Sequence, residues 1–229
     1  MTTRTRFHQD LDELKAKLLA MGGMAENAVD MAARAYRERV PEVCQKVFQN
    51  EAMINLTERE IDERALDLLA MQQPMAVDLR LILAVIKSNA DLERVGDQAV
   101  NIAQSVMNLI ALPQVELAAD ISRMAELSSD MIRLALEAFV GGNAEAAQQI
   151  LEMDDAVDRM NQEIFVAMGR QMRENPSVSG QALDTIIIAR NFERIADHAT
   201  NIAEDVIFWI RGADVRHRFP NVVASQPAE

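Results

Sequence analysis

Two stretches of the sequence carry acidic side chains at a spacing that could hold a cation. Glu93, Asp97 and Asn101 are four residues apart, and the same residue types recur one hundred positions later, at 193, 197 and 201. At about 100° per residue, such a series lies on one side of a helix. Like charges at this spacing destabilise a helix by roughly 0.2–0.5 kcal/mol per pair. The pattern therefore indicates a role for these carboxylates other than helix stability.

A third acidic pair has the same spacing on an earlier segment of the second half, at Asp154 and Asp158. Ligand sets made only of oxygen suit Mg²⁺, Mn²⁺, Ca²⁺ or iron better than structural zinc. The alternative is that Arg94 and Arg194, which follow the two glutamates, neutralise the acids as ordinary surface ion pairs. The spacing alone leaves both interpretations open.

One histidine adjoins the second acidic stretch. His198 stands where the first stretch has Gln98, immediately after Asp197 and about 100° from the side that carries the carboxylates. It is therefore either a peripheral metal ligand or a solvated or helix-capping side chain.

The familiar signatures of catalysis are missing from the sequence. It has no glycine-rich phosphate loop, nucleophile elbow or Cys-x-x-Cys pair. A ferritin-like carboxylate metalloenzyme needs Glu-x-x-His pairs, but the residues three positions before the three histidines are Thr5, Ile195 and Asp214. We therefore expect a protein that is not an enzyme. A purely structural coiled-coil protein is the other class considered, and it would show no dependence on metal.

Helix-breaking residues divide the chain into long segments. The chain has only 8 Gly and 6 Pro, and a hydrophobic fraction of 49% that is carried by aliphatic side chains and Met. This composition favours few, long helices joined by short loops. Breakers at six places predict helices at about 8–39, 42–72, 75–111, 114–140, 143–173 and 178–211.

The chain contains an internal repeat. Residues 91–103 recur as 191–203, with Glu, Arg, Asp, Ala, Asn, Ile and Ala at matching positions, and residues 51–55 align with 154–158. A duplicated three-helix unit predicts an all-α fold: two tandem repeats of an antiparallel three-helix bundle, six long helices in all, related by a pseudo-two-fold axis. We place the repeats at 1–113 and 114–212, followed by a flexible C-terminal tail at 213–229.

Composition also limits the partners. The net charge of −13 excludes a phosphate-backbone surface for nucleic acid. The lone Cys44 predicts a small buried residue, and residues 1–10 lack the apolar stretch of a signal peptide. The longest apolar run, 81–86, is too short to cross a bilayer. We therefore expect a cytoplasmic protein that reaches a membrane only through partner proteins.

Residues 72–80 (QQPMAVDLR), 91–97 (DLERVGD) and 191–199 (NFERIADHA) together resemble the PhoU family, and the resemblance runs from about residue 8 to 211. The resemblance implies a negative regulator of the phosphate-starvation response. Such a protein is an adaptor between the ATPase subunit of the high-affinity phosphate ABC transporter and the phosphate-sensing histidine kinase. It also implies a homodimer and regulation of phosphate uptake and homeostasis.

Family members hold metal clusters, including iron, at Glu/Asp-x-x-x-Asp motifs, so the resemblance implies Fe, Mn or Mg as cofactors. The implied metal-site residues of this chain are Glu51, Glu93, Asp97, Asp154, Asp158, Glu193 and Asp197. The chain departs from the motif at Asn55, where the second acid is missing. We therefore expect the first repeat to bind metal more weakly than the second, or not at all.

Overall fold

The computed structural model describes residues 3–117, 119–213 and 215, and within them the chain is helical with no β-strand. The six α-helices are α1 (Thr3–Glu38), α2 (Pro41–Gln72), α3 (Val77–Ile110), α4 (Ile121–Gly141), α5 (Ala144–Glu174) and α6 (Ser179–Arg211), and a 3-10 turn, Pro176–Val178, precedes α6. The all-α prediction is confirmed. The predicted tail at 213–229 lies outside the described residues apart from Ala213 and Val215.

Local chemistry explains most helix ends. Pro41 begins α2, where its missing N–H costs nothing. Gly142 adopts a left-handed conformation after α4, and the side chain of Asn143 accepts hydrogen bonds from the first backbone N–H groups of α5. Gly212, also left-handed, ends α6. These boundaries agree with the sequence-based ones to within a few residues.

The predicted start of the fourth helix at 114 is wrong. The helix begins at Ile121, because the side chain of Asp120 caps it by accepting a hydrogen bond from Arg123 N at 3.0 Å. The preceding segment is tied to α6 instead, where Gln181 Nε2 donates to the carbonyl of Pro113 at 3.0 Å. The connection between the repeats is therefore longer than the two-residue link that the sequence suggested, and the repeat boundary at 113/114 stays a prediction.

Helices α3 and α6 form the centre of the molecule and run antiparallel. Successive contacts between them show the direction: Lys87 meets Asp205 at 3.3 Å, and Asn108 meets Asp184 at 3.1 Å. Helix α2 packs beside α3, and α5 packs beside α6. The order α2–α3–α6–α5 makes one layer, and α1 and α4 pack against each other and against this layer. Helices α1–α3 and α4–α6 thus repeat one arrangement, which confirms the predicted duplication.

Apolar stripes hold this arrangement together. The stripe predicted on the third helix is fully buried from Leu92 to Val106, and the matching stripe on the sixth is buried from Phe192 to Val206. Cys44 is buried among apolar residues, as expected. None of the helices in the described ranges combines the length and the hydrophobicity that crossing a bilayer requires.

The contact between α1 and α4 generates a test of the fold. A Cβ added at Gly22 would lie 2.5 Å from Cδ2 of Leu136, whereas one added at Gly23 would meet nothing within 4 Å. We expect Gly22→Val to lower the free energy of unfolding by about 1–3 kcal/mol through overpacking. Gly23→Val, the matched control, should be neutral or slightly stabilising. Urea denaturation measures both, and equal stabilities would contradict this packing of α1 on α4.

Candidate functional site

The acidic residues of the second repeat come together between α5 and α6. Asp154 and Asp158 lie on α5, and Glu193 and Asp197 lie on α6. Their charges act on one another: Asp158 and Asp197 both raise the pKa of Asp154, and Asp154 and Asp158 both raise that of Glu193. The structure thus brings together all four carboxylates that the sequence singled out in this repeat. We call these four residues the second cluster.

Two carboxylate oxygens of the second cluster are buried without a hydrogen bond. Glu193 is only 7% exposed, and one of its oxygens pairs with Arg190 while Oε2 has no partner among the described residues. Oδ1 of Asp154 is buried and unpartnered in the same way. Buried, unpaired carboxylate oxygens are costly. A cation between the helices would therefore find acceptors that the chain itself does not satisfy.

Burial and mutual repulsion also change the ionisation of the second cluster. Burial, followed by the charges of Asp158 and Asp197, raises the pKa of Asp154 to about 6. Burial and Asp197 raise the pKa of Glu193, although Arg190 opposes the shift. Burial and Asp158 raise the pKa of Asp197 despite the nearby His198. For Glu193 and Asp197, the nearby positive charges do not outweigh burial and repulsion between the acids.

The first repeat gathers a similar set between α2 and α3, which we call the first cluster: Glu51, Glu58, Glu93 and Asp97. Burial, followed by Asp97, Glu58 and Glu51, raises the pKa of Glu93, and burial with Glu51 raises that of Asp97. Asn55 donates a hydrogen bond from Nδ2 to Oε1 of Glu51, so the amide neutralises part of this cluster.

Glu58 is a member that sequence reasoning missed. It acts on Glu93, and it lies seven residues, or two helical turns, after Glu51 on the same side of α2. A seven-residue spacing between acids is therefore a signal in the sequence that pairs four residues apart do not contain. The first cluster therefore has four carboxylates in spite of Asn55, and the difference between the repeats is smaller than the motif alone indicates.

His198 has a different partner from those expected. Its Nδ1 lies 2.8 Å from Oδ1 of Asp91, and the same oxygen accepts a hydrogen bond from Asn201 Nδ2 at 3.1 Å. Asp91 is on α3, so these contacts join the two repeats. The interpretation of His198 as a solvated or capping residue is wrong, because its side chain is largely buried at the helix interface.

The alternative interpretation, in which arginines neutralise the acids, holds for Glu193, but the arginine involved is not the expected one. Glu193 pairs with Arg190, one turn earlier on α6, rather than with the adjacent Arg194. Arg190 is more than half exposed and contacts one of the two Glu193 oxygens. Asp154, Asp158 and Asp197 form no such ion pair within the described part of the chain, so Arg190 offsets only part of the cluster's charge.

The chemistry of both clusters fits a hard cation, but the side chains are not arranged as a finished site. Within the described ranges, no three His, Cys, Asp or Glu side chains are grouped so that they could hold a metal ion. The donors are all oxygen atoms, and two of them are buried without partners. Metal binding would therefore require changes of carboxylate rotamers, and the seven predicted ligands stay a prediction.

Both halves of the chain are similar to one known protein domain. The model of the PhoU domain matches residues 18–106 and 121–206, once in each repeat. A relative from Pseudomonas putida, a phosphate-specific transport system accessory protein PhoU homolog, is 37% identical over 93% of this chain and 83% of its own length.

The chain belongs to the PhoU family.

Two solved PhoU structures agree with this fold. The crystal structure of PhoU from Pseudomonas aeruginosa superposes with a TM-score of 0.87 at 35% identity, covering 90% of this chain and 100% of that one. The phosphate transport system regulatory protein PhoU from Streptococcus pneumoniae gives 0.85 at 27% identity, covering 91% and 99%. The PhoU fold therefore extends over both repeats and includes both carboxylate clusters.

The raised pKa of Asp154 predicts how pH affects stability without metal. Because the folded chain binds this proton more tightly than the unfolded chain, its contribution to stability falls as pH rises from near 3.8 to about 6. In chelator, Asp154→Asn should therefore raise Tm at neutral pH and change it little near the ordinary pKa of an aspartate. Glu163→Gln, an exposed change on the same helix, is the control. A lower Tm for Asp154→Asn at neutral pH would contradict this account.

Proposed function

We propose that this protein is a negative regulator of the phosphate-starvation response. It acts as a cytoplasmic adaptor between the ATPase subunit of the high-affinity phosphate ABC transporter and the phosphate-sensing histidine kinase. The observation that carries the proposal is the PhoU match in both repeats, to relatives named phosphate-specific transport system accessory proteins. An accessory protein works through contacts, and the long helical layer α2–α3–α6–α5 offers extended surface for them.

The same proposal assigns no catalytic role to the chain and treats it as a homodimer. Cys44, the one cysteine of the sequence, is buried in the apolar core. Regulation of phosphate uptake then depends on which partner is bound. The strongly acidic surface, with a net charge of −13, disfavours direct contact with nucleic acid or anionic lipid, so the membrane is reached through the transporter.

We expect removal of the gene to derepress the phosphate-starvation genes at high external phosphate, because the kinase would lose its inhibitory adaptor. A reporter fused to a starvation-induced promoter measures this. Purified protein should hydrolyse no phosphate ester, and Glu193→Gln in the same assay is the control. A phosphatase activity that disappears in Glu193→Gln would overturn the adaptor proposal, as would an unchanged reporter in the deletion strain.

Metal binding is the second part of the proposal. Iron, Mn²⁺ or Mg²⁺ would be held between α5 and α6 by the second cluster, and between α2 and α3 by Glu51, Glu93 and Asp97, with Glu58 as a further acid. What supports this is the oxygen-only donor set, the unpartnered oxygens of Asp154 and Glu193 and the raised pKa values of the clustered acids. Bound cations would supply positive charge that stabilises the paired helices. The carboxylates orient and hold the ions, and no chemical step is involved.

The double variant Glu193→Gln with Asp197→Asn tests the second cluster. In chelator it should melt slightly higher than the parent, because a repulsive pair at this spacing costs roughly 0.2–0.5 kcal/mol. Added Mn²⁺ or iron should raise Tm in the parent and much less in the variant. Thermal denaturation and elemental analysis of protein purified without chelator measure both effects.

The matched control is Glu152→Gln with Glu163→Gln, which removes two exposed charges from α5 and should keep the metal-dependent rise in Tm. If the rise persists undiminished in the Glu193/Asp197 variant, the metal site lies elsewhere. We expect Asn55→Asp to increase the metal bound per chain, because it adds a carboxylate to the first cluster. Unchanged metal content there would mean that Glu58 already supplies the acid.

A further inference from the structure

A cavity of about 130 Å³ lies at the end of the bundle where α3 ends and α6 begins. It is partly open to solvent, and its walls come from the last turn of α3, the connection between the repeats, the first turn of α6 and the corner between α1 and α2. Most of the lining is hydrocarbon, supplied by Leu109, Ile110, Leu112, Pro113, Val115 and Leu117. A ligand in this cavity would therefore touch both repeats and the segment that joins them.

The polar part of the lining carries one positive charge. Arg39 is the one charged residue among those that line the cavity in the described part of the chain, and the other polar groups are the amides of Gln114 and Gln181. Although the sequence has 36 acidic residues, none of those in the described ranges forms an ion pair with Arg39. A guanidinium binds a carboxylate through two parallel, charge-assisted hydrogen bonds. The lining therefore suits an apolar group that carries a carboxylate.

The side chain of Arg39 is held at the cavity by its neighbours. Its guanidinium carbon lies 4.5 Å from the centre of the Tyr36 ring, a cation–π contact, and Tyr36 also interacts with Thr185 on α6. The backbone of Arg39 has a φ of 55°, a left-handed conformation that a residue with a side chain adopts at a cost. Glycine would avoid this cost, so the corner between α1 and α2 does not itself require an arginine.

Gln181 fixes the wall that the connection between the repeats contributes. Its Nε2 donates to the carbonyl of Pro113 at 3.0 Å, which ties the connection to the first turn of α6. This contact uses one of the two N–H groups of the amide. The segment that closes the cavity is therefore anchored to a helix at the place where it forms the lining.

The volume of the cavity limits the size of the ligand. An apolar cavity of roughly 150 Å³ is large enough to hold benzene, and this one is of about that size. We propose that it binds a small monocarboxylate whose apolar body is about as large as a benzene ring. The body packs against the aliphatic lining, and the carboxylate pairs with Arg39.

This site is separate from the two carboxylate clusters. Asp97 lies twelve residues before Leu109 on α3, which is about 18 Å along the helix, and Glu193 lies twelve residues after Gln181 on α6. The inference goes beyond the proposed adaptor role and depends neither on that role nor on metal. An occupied cavity would link the connection to both repeats, so the ligand should also raise Tm.

The test uses the full-length chain in chelator and para-fluorobenzoate as the probe, with binding followed by fluorine NMR at physiological ionic strength. We expect saturable binding with a Kd of roughly 1 mM or below, as for a ligand with so few atoms. Arg39→Gln should raise Kd by roughly tenfold or more, because the charge-assisted hydrogen bonds are lost. Arg37→Gln removes an exposed charge from the last turn of α1, outside the lining, and should leave Kd within about twofold of the parent's.

A second pair of variants tests the position of the ligand. Val115→Phe fills the cavity from the connection and should abolish binding, whereas Glu116→Phe places the same ring on the neighbouring exposed residue, outside the lining, and should not. Para-fluorobenzyl alcohol keeps the ring without the charge. It should bind the parent roughly tenfold more weakly than the acid does, and it should bind Arg39→Gln as well as it binds the parent.

Arg39→Gly keeps loss of binding distinct from loss of the fold. It removes the left-handed strain together with the charge, so it should melt no lower than Arg39→Gln and bind the probe equally weakly. The proposal is overturned if the parent shows no saturable binding, if the parent and Arg39→Gln have the same Kd, or if the acid and the alcohol bind equally well. Displacement of the probe by inorganic phosphate at equal concentration would also overturn it, because the ligand would then be recognised by charge alone.

Discussion

The antiparallel packing of α3 against α6 is the contact on which the rest of the molecule depends. Each of the two helices carries a buried apolar stripe, and each has its own pair of helices packed against it. Because Asp91 lies opposite His198, the middle of one helix meets the middle of the other. The acids at 93 and 97 are therefore at the same height in the layer as those at 193 and 197. One packing contact thus positions both carboxylate clusters, one on either side of the central pair.

The two clusters are an electrostatic cost that neighbouring side chains offset only in part. Grooves between helices exclude part of the solvent, which strengthens repulsion between the acids and raises the pKa of Asp154, Glu193 and Asp197. Arg190 offsets only part of this in the second repeat. In the first repeat, Asn55 donates to Glu51 and reduces the repulsion by one charge. The acids therefore lower the stability of the chain taken alone, and the proposed cations would offset this cost.

Features that depend on residues close together in the chain could be predicted from the sequence. The apolar stripe from Leu92 to Val106 and the breakers at Gly142 and Gly212 follow from local rules, and the structure agrees. The sequence could not predict features that depend on distant partners. His198 is held by Asp91, 107 residues away, and no local pattern indicates that pairing. The start of α4 was missed because no Gly or Pro separates Pro113 from the capping Asp120, so a polar side chain rather than a breaker sets the boundary.

Duplication has kept the backbone arrangement while the two copies have diverged in the partners of equivalent residues. Asp91 accepts hydrogen bonds across the central interface, whereas the equivalent Asn191 bonds to the carbonyl of Ile187 in its own helix. Lys87 likewise reaches across to Asp205. The polar side chains of the first repeat therefore help to fix the two repeats to each other. The equivalent positions of the second repeat need not keep these polar groups, and Ile187 stands where the first repeat has Lys87. The duplicated scaffold therefore presents different surfaces in its two halves.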